Sequence, residues 1–372
     1  MAPKVKDIIQ IFEKKASETL AMDWDQIGLQ IGSMDDEVKT VFVTLDLTME
    51  TLEEAVQKNA QLIITHHPFI FDPVRKIRTD QTKGFIIAQL LRKNISLYVA
   101  HTNVDIALGG LNDWASDLLK LKNITLLQET GEDSLEKLVV FIPAEYATKV
   151  SNAIMDAGAG HIGEYSHCGY YLKGTGTFKP LAGATPFIGS ENRLETVEEV
   201  RLETVMHSSK RSQVLKSMIE AHPYEEVAYD IYPLKNNGHR NGIGRIGDLP
   251  EGQTPEIFIQ ILKEAFSIQH VRWTPGSAEY IVKVGVLTGS GASAINAAVM
   301  KGCDCLVTGD IKYHDAQLAS EQGLHLFDIG HFESEITFVP LIVNQLKGQL
   351  ENSGLNVDVI GATEQQKLIF TK

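Results

Sequence analysis

Cysteine is scarce in this sequence: Cys168, Cys303 and Cys305 are the whole complement in 372 residues. Three scattered thiols cannot build a disulfide scaffold, and they suit an intracellular protein better than a secreted one. No apolar stretch approaches the roughly 20 residues that a membrane-spanning helix needs. The segment Met1–Gln10 sets Lys4, Lys6 and Asp7 among single apolar residues, so no secretory hydrophobic region is expected there. Positive charge is in deficit too: 34 Lys and Arg face 48 Asp and Glu, a formal charge of −14. Such a chain lacks the cation surplus that nonspecific binding to a phosphate backbone requires. A Gly-x-Ser-x-Gly elbow is also absent, so nothing points to a serine hydrolase. What remains is a cytoplasmic protein with no membrane span. Its 43% hydrophobic and 22% charged residues fit an enzyme or a binding protein, and its length allows two or three domains.

What the sequence does contain is imidazole at the ends of apolar runs. Leu62-Ile63-Ile64-Thr65 stops at His66-His67-Pro68, which reads as a β-strand delivering two imidazoles to the C-terminal edge of a sheet. Adjacent histidines point apart in an ideal strand, so both can serve one site only where the strand ends and turns. A second run, ending at Ala100, meets His101 and then Asp105. A third meets His331 and then Glu335. Each His and carboxylate pair is four apart, which puts both on one side of a helical turn.

The first 127 residues alternate helix and strand. Val5, Ile8, Ile9 and Phe12 mark an amphipathic helix, and Val41–Asp46 is a strand. A helix capped by Thr51 and Glu54 buries Leu52, Ala55 and Val56, and the 62–65 strand follows. This order argues for a parallel or mixed sheet covered on both faces. From about 135 to 234 the predicted order becomes strand-helix-strand-strand-helix-strand, the ferredoxin-like arrangement, between polar boundaries. Beyond it, Thr254-Pro255 opens a helix and Cys305–Thr308 is a strand. Pro340 warns that the last helix starts late or bends. Residues 59–67 and 302–310 share helix end, strand and Thr in one register, and His101/Asp105 and His331/Glu335 follow at matching places. The expected architecture is therefore α/β: two related α/β lobes forming a metal-binding cleft, with an inserted ferredoxin-like α+β domain. The expected divisions are 1–134, 135–234 and 235–372; chance similarity of two β-α-β units is the competing explanation of the repeat.

His66, His67, Asp105, His331 and Glu335 supply three imidazoles and two carboxylates, an inventory for two divalent ions with a carboxylate between them. Nitrogen donors favour Zn first, with Fe, Mn, Co or Ni compatible, over Mg. Arg245, Lys312, Tyr313 and His314 are expected along the cleft, His314 being either a proton carrier or a structural histidine. Gly174–Phe178 looks like a phosphate loop but lacks its lysine, and a structural turn is expected there. Cys303 and Cys305 straddle Asp304 at strand spacing, as core thiols on one face.

The motifs Thr65-His66-His67-Pro68, His101-Thr102-Asn103-Val104-Asp105, Thr308-Gly309-Asp310 with His314, and Gly330-His331-Phe332-Glu333-Ser334-Glu335 resemble those of the NIF-three-like family, the GTP cyclohydrolase 1 type 2 homologues. Trp24–Leu29 and Gly242–Gly247 match the same family, so the resemblance covers both outer lobes. It implies two ions bridged by Glu335, with His66 and Asp105 on one and His67 and His331 on the other, and a toroidal homohexamer. The insert, including Ala221–Glu226, resembles the PII- or CutA-like domain of longer members. If the protein is an enzyme, metal-activated water attacks an electrophilic carbon or phosphorus, with His101 or His314 moving protons. The family label implies opening of the GTP imidazole ring with release of formate, and hydrolysis of another nucleotide fits the same centre. The alternative is a non-catalytic metal-binding regulatory or protein-interaction assembly.

Overall fold

The computed structural model describes residues 2–363 together with Gln365 and Lys367. The chain divides into two compact units, residues 1–130 with 241–372, and residues 131–240. Among the described residues, no helix is long and apolar enough to cross a membrane.

In the larger unit, the first lobe runs α1 (Val5–Glu13), β1 (Gly28–Ile31), β2 (Thr40–Thr44), α2 (Met49–Gln57), β3 (Leu62–Thr65), α3 (Thr82–Arg92), β4 (Ser96–Val99), α4 (Thr102–Ile106) and α5 (Leu111–Leu118). Strands β2, β3 and β4 are parallel neighbours, and β1 lies antiparallel on the β4 edge. Val41, Val43, Leu62, Ile64 and Tyr98 pack with Val5, Ile8 and Phe12 of α1 on one face. Phe42, Ile63 and Leu97 pack with Leu52 of α2 and Ile86 and Leu90 of α3 on the other. Burial on both faces is why these strands read as continuous apolar runs. The cap of α2 differs from expectation. Thr48, not Thr51, is the N-cap, and Thr51 sits at the third helical position, where its amide donates to Thr48 Oγ1 and its hydroxyl accepts from Thr48 N. The hydroxyl of Thr48 lies one turn earlier and reaches the free amides of the first turn.

Strand β5 (Lys122–Asp133) leads out of this lobe. The smaller unit comprises β6 (Leu135–Pro143), α6 (Ala147–Asp156), β7 (Gly169–Phe178), β8 (Glu195–His207), α7 (Arg211–Ala221) and β9 (Tyr229–Pro233). Its antiparallel sheet has the order β7-β8-β6-β9, the ferredoxin-like arrangement. Leu138, Val140 and Ile142 of β6 pack with Val150 and Ile154 of α6 and Val214 and Met218 of α7. The segment Gly174–Phe178 is strand, not turn, paired residue by residue with Glu195–Glu199 of β8.

The second lobe runs β10 (His239–Gln253), α8 (Pro255–Ala265), β11 (Arg272–Thr274), β12 (Ile281–Ser290), α9 (Ile295–Met300), β13 (Cys305–Gly309), α10 (Tyr313–Glu321), β14 (His325–Asp328), α11 (His331–Glu335), α12 (Phe338–Asn352) and β15 (Asp358–Gly361). Its parallel β12, β13 and β14 with antiparallel β11 outside β14 repeat the plan of β2, β3, β4 and β1. The end of the chain returns to the first lobe: β15 extends that sheet beside β2, and Phe338, Leu341, Ile342 and Leu346 of α12 join its core. Pro340 falls in the first turn of α12, where an amide has no helical partner to lose. Cys303 and Cys305 do not share a face. Cys303 precedes β13, outside the two-residue alternation, and packs against a different core cluster from Cys305.

Arg245 does not line a cleft. It is 1% exposed, paired with Asp113 through two guanidinium nitrogens. It also donates to the carbonyls of Gly242, Gly244, Ile106 and Ala107. One cation thus ties β10 to the end of α4. Removing one partner of a buried ion pair strands the other, at a cost of about 3–5 kcal/mol. Arg245→Met is expected to lose stability on that scale in urea unfolding; a loss below about 1 kcal/mol contradicts this role.

Candidate metal centre

Strand β3 ends at Thr65, and the backbone then turns. The amide of His66 is shared between Thr44 O, at 3.3 Å, and Leu45 O, at 3.1 Å, and the amide of His67 donates to the same Leu45 O at 3.1 Å, so the ladder ends here. This turn lets neighbouring imidazoles serve one site. His101 stands at the N-terminus of α4, and Asp105 lies one turn on. His331 opens α11, and Glu335 closes it. The positive φ of Gly330, 93°, provides the sharp entry.

Each imidazole is oriented through Nδ1. His66 Nδ1 donates to Ala100 O at 2.9 Å. His67 pairs with Asp46 Oδ1 at 2.8 Å, His101 with Asp25 Oδ1 at 2.9 Å, and His331 with Asp310 Oδ2 at 2.7 Å. An acceptor on Nδ1 fixes the tautomer and leaves Nε2 to face the cluster, as in carboxylate-oriented metal-binding histidines. Asp25 is itself pinned by the amide and hydroxyl of Thr102. Asp310 holds a left-handed φ of 56°, rare outside glycine, to reach His331. The sequence motifs give these three aspartates no role at the site. Their signal was the same strand-edge placement as the histidines: Asp46 just past β2, Asp310 just past β13, Asp25 just before β1.

Glu335 is the hub. Its Oε2 lies 2.9 Å from both His67 Nε2 and His331 Nε2, and its Oε1 lies 3.7 Å from His66 Nε2. Asp105 Oδ1 is 3.8 Å from His66 Nε2. The donor atoms of His66, His67 and His101 form one close group, and those of His67, His331 and Glu335 a second. His67 belongs to both. His101, expected as a proton carrier, therefore stands among the clustered donors. His314 does not: it is exposed on α10, with a ring contact to Tyr313, and Lys312 and Tyr313 are exposed beside it. Gly289 leaves room for the hub, since a Cβ there falls 2.2 Å from Glu335 Oε1. Asn112 locks the frame: its amide donates to Asp105 O, and its carbonyl accepts from Thr288 N.

Two buried atoms, His66 Nε2 and Asp105 Oδ1, have no hydrogen-bond partner. Buried polar atoms are ordinarily paired, and a divalent ion satisfies a lone pair on each at once. The donor set therefore fits a metal. The electrostatics agree. Burial alone raises Glu335, yet the hydrogen bonds from His331 and His67 and the nearby His66 imidazole hold it well below the usual carboxylate range. Burial raises Asp105, opposed by His66 and reinforced by the negative charge of Glu335. Burial lowers His67, but Asp46 and Glu335 overcome it and lift the imidazole to about 10. The hydrogen bond to Glu335, against burial, lifts His331 to about 9.

A two-lobed α/β protein carrying two linked His and carboxylate clusters is the class that this fold and site define. The family profile of Duf34/NIF3 (NGG1p interacting factor 3) matches residues 3–367. The chain belongs to that family. It is 44% identical over 331 residues to the GTP cyclohydrolase 1 type 2 homolog of Bacillus subtilis, covering 89% of each chain. It is 31% identical over 360 residues to the homolog of Staphylococcus aureus, covering 97% of each. Among solved structures, a Bacillus cereus protein related to NIF3 superimposes with a TM-score of 0.91 at 41% identity, covering 100% of both chains.

The raised imidazoles give a signed expectation. Without metal, His67 and His331 hold protons at pH 7.5 that an ion must displace, so Zn²⁺ affinity rises with pH toward 9–10. The metal-free fold behaves oppositely. The stability from these protonated imidazoles is complete below their unfolded value of roughly 6.5 and is lost as pH rises through about 9 and 10. Calorimetric Zn²⁺ titration at pH 7.5 in buffers of differing ionisation enthalpy is expected to show net proton release. Buffer-independent enthalpy contradicts it.

Proposed function

We propose that the chain is a dinuclear metal-dependent hydrolase, acting on GTP or another nucleotide. His66 and Asp105 would hold one ion and His67 and His331 the other, with Glu335 placed to serve both. Zinc leads among the candidate ions, with Fe, Mn, Co and Ni compatible with the same donors. The observation that carries this reading is Glu335 itself: a buried carboxylate turns one oxygen to His66 and the other to His67 and His331. An ion pair, when bound, supplies Lewis acidity, acidifying water and polarising a carbonyl or phosphoryl group. The protein's own part is positional. Asp46, Asp310 and the carbonyl of Ala100 aim three imidazoles, and His101, held by Asp25, is the group placed to move a proton beside them. Relatives carry the name GTP cyclohydrolase 1 type 2 homolog, which makes GTP ring opening with formate release the first reaction to test.

The wider assembly belongs to the same proposal. The chain works as a cytoplasmic, toroidal homohexamer in three parts: 1–134 and 235–372 build the metal site, and 135–234 is a PII/CutA-like module. A second reading, a non-catalytic metal-binding regulatory assembly, is favoured by the same module, because ferredoxin-like domains carry regulatory as well as catalytic roles.

Elemental analysis of the purified protein is expected to find two ions per chain, and at most one after Glu335→Ala. Two ions retained by that variant contradict the bridge. Formate released from GTP by the metal-loaded protein and lost in Glu335→Ala supports the hydrolase. Full metal loading with no turnover of GTP or a nucleotide panel favours the regulatory reading.

A further inference from the structure

Trp24 and Phe71 are large, apolar and half exposed, at 56% and 49%. Their ring centroids are 6.3 Å apart, tilted by 49°. Trp24 also sets its edge against His101 at 6.0 Å. His101 in turn lies edge-on to His66 at 5.1 Å and His67 at 5.8 Å. A line of rings therefore runs from the solvent-exposed pair to the metal-type cluster.

Exposed aromatics on loose backbone carry little meaning, but this pair is held. Behind Trp24, Asp25 accepts from His101, from the amide of Thr102 and from its hydroxyl, and Met22 N donates to Thr102 Oγ1. Behind Phe71, the Gln30 side chain clips Ile70 at both backbone groups, accepting from its amide at 2.8 Å and donating to its carbonyl at 2.8 Å. Two separate side-chain clamps hold the chain at Asp25 and Ile70, next to two rings that stay half exposed. That is the arrangement of a pre-organised binding surface, where the ordering cost is met before the ligand arrives.

We propose that Trp24 and Phe71 form a stacking platform for a planar nitrogen heterocycle, placing a small molecule so that a ring atom or the group beside it reaches the His66, His67, His331 and Glu335 cluster. The inference rests on the metal-dependent reading of that cluster and adds what holds the substrate there. A tilted pair of aromatic faces beside polar donors accepts one flat ring by stacking and edge contact. A sugar phosphate without a base has no face to offer it. Purine nucleotides present the ring, and ribose 5-phosphate presents the remainder.

Titration calorimetry on the zinc-loaded, full-length protein with adenosine and guanosine 5′-monophosphates and with ribose 5-phosphate tests this. At least one nucleotide is expected to bind about tenfold more tightly than ribose 5-phosphate, since stacking of one base is worth that much or more. Trp24→Ala and Phe71→Ala are each expected to lose about tenfold in nucleotide affinity and leave ribose 5-phosphate unchanged; Trp24→Phe recovers most of the loss. Metal content and mass in solution are measured for every variant and are expected to stay constant. Wild-type protein that does not distinguish the probes, or alanine variants that bind nucleotide as wild type does, overturn the platform. So does a change in mass with unaltered nucleotide binding, which makes the pair a contact between copies. Discrimination by a protein that holds no metal removes the metal reading and leaves the platform standing.

Discussion

A carboxylate taken out of water must be neutralised or surrounded by donors, and Glu335 is surrounded. It is 3% exposed, yet it stays ionised because three imidazoles point Nε2 at its two oxygens. That requirement reaches both lobes. His66 and His67 come from the end of β3, while Glu335 and His331 come from α11, more than 260 residues later. The attraction that holds Glu335 charged therefore joins the two halves at their sheet edges. Gly289 leaves the space that Glu335 occupies, and Asn112 ties Asp105 to Thr288 beside it.

The repeated plan of the lobes makes this convergence economical. In each, three parallel strands end at one edge, and a five-residue helix beginning at or just after a histidine follows the third strand, α4 after β4 and α11 after β14. A helical turn of that length places a carboxylate above the histidine, as Asp105 and Glu335 show. The lobes differ at the tip of the middle strand. β3 leads into His66 and His67, whereas β13 leads into Asp310, which orients His331. One half supplies most of the nitrogen donors, and the other supplies the central carboxylate and a partner that aims its own imidazole.

Much of this was legible in the sequence because the signals were local. Apolar runs ending in His-His-Pro, and His with a carboxylate four residues on, declare a strand edge and a helical turn without tertiary information. The ferredoxin-like order was legible for the same reason. What stayed hidden depended on approach in space. Asp25, Asp46 and Asp310 are ordinary loop carboxylates until the fold sets them against Nδ1 of particular histidines. Arg245 reads as a cleft residue in a glycine-rich motif, and only the packing shows it buried against Asp113. Gly174–Phe178 has turn composition, and its pairing with β8 decides otherwise. His314 carries the right chemistry in the right motif, yet α10 turns it to solvent.

On the proposed reading, the buried carboxylate of Glu335 serves two ion positions. Anomalous diffraction at the zinc edge from crystals grown with Zn²⁺ tests it most directly. The expected map has two peaks about 3.5–4 Å apart, one against His66 and Asp105, the other against His67 and His331, with an oxygen of Glu335 toward each. A single peak, or a pair that Glu335 does not touch, contradicts the account.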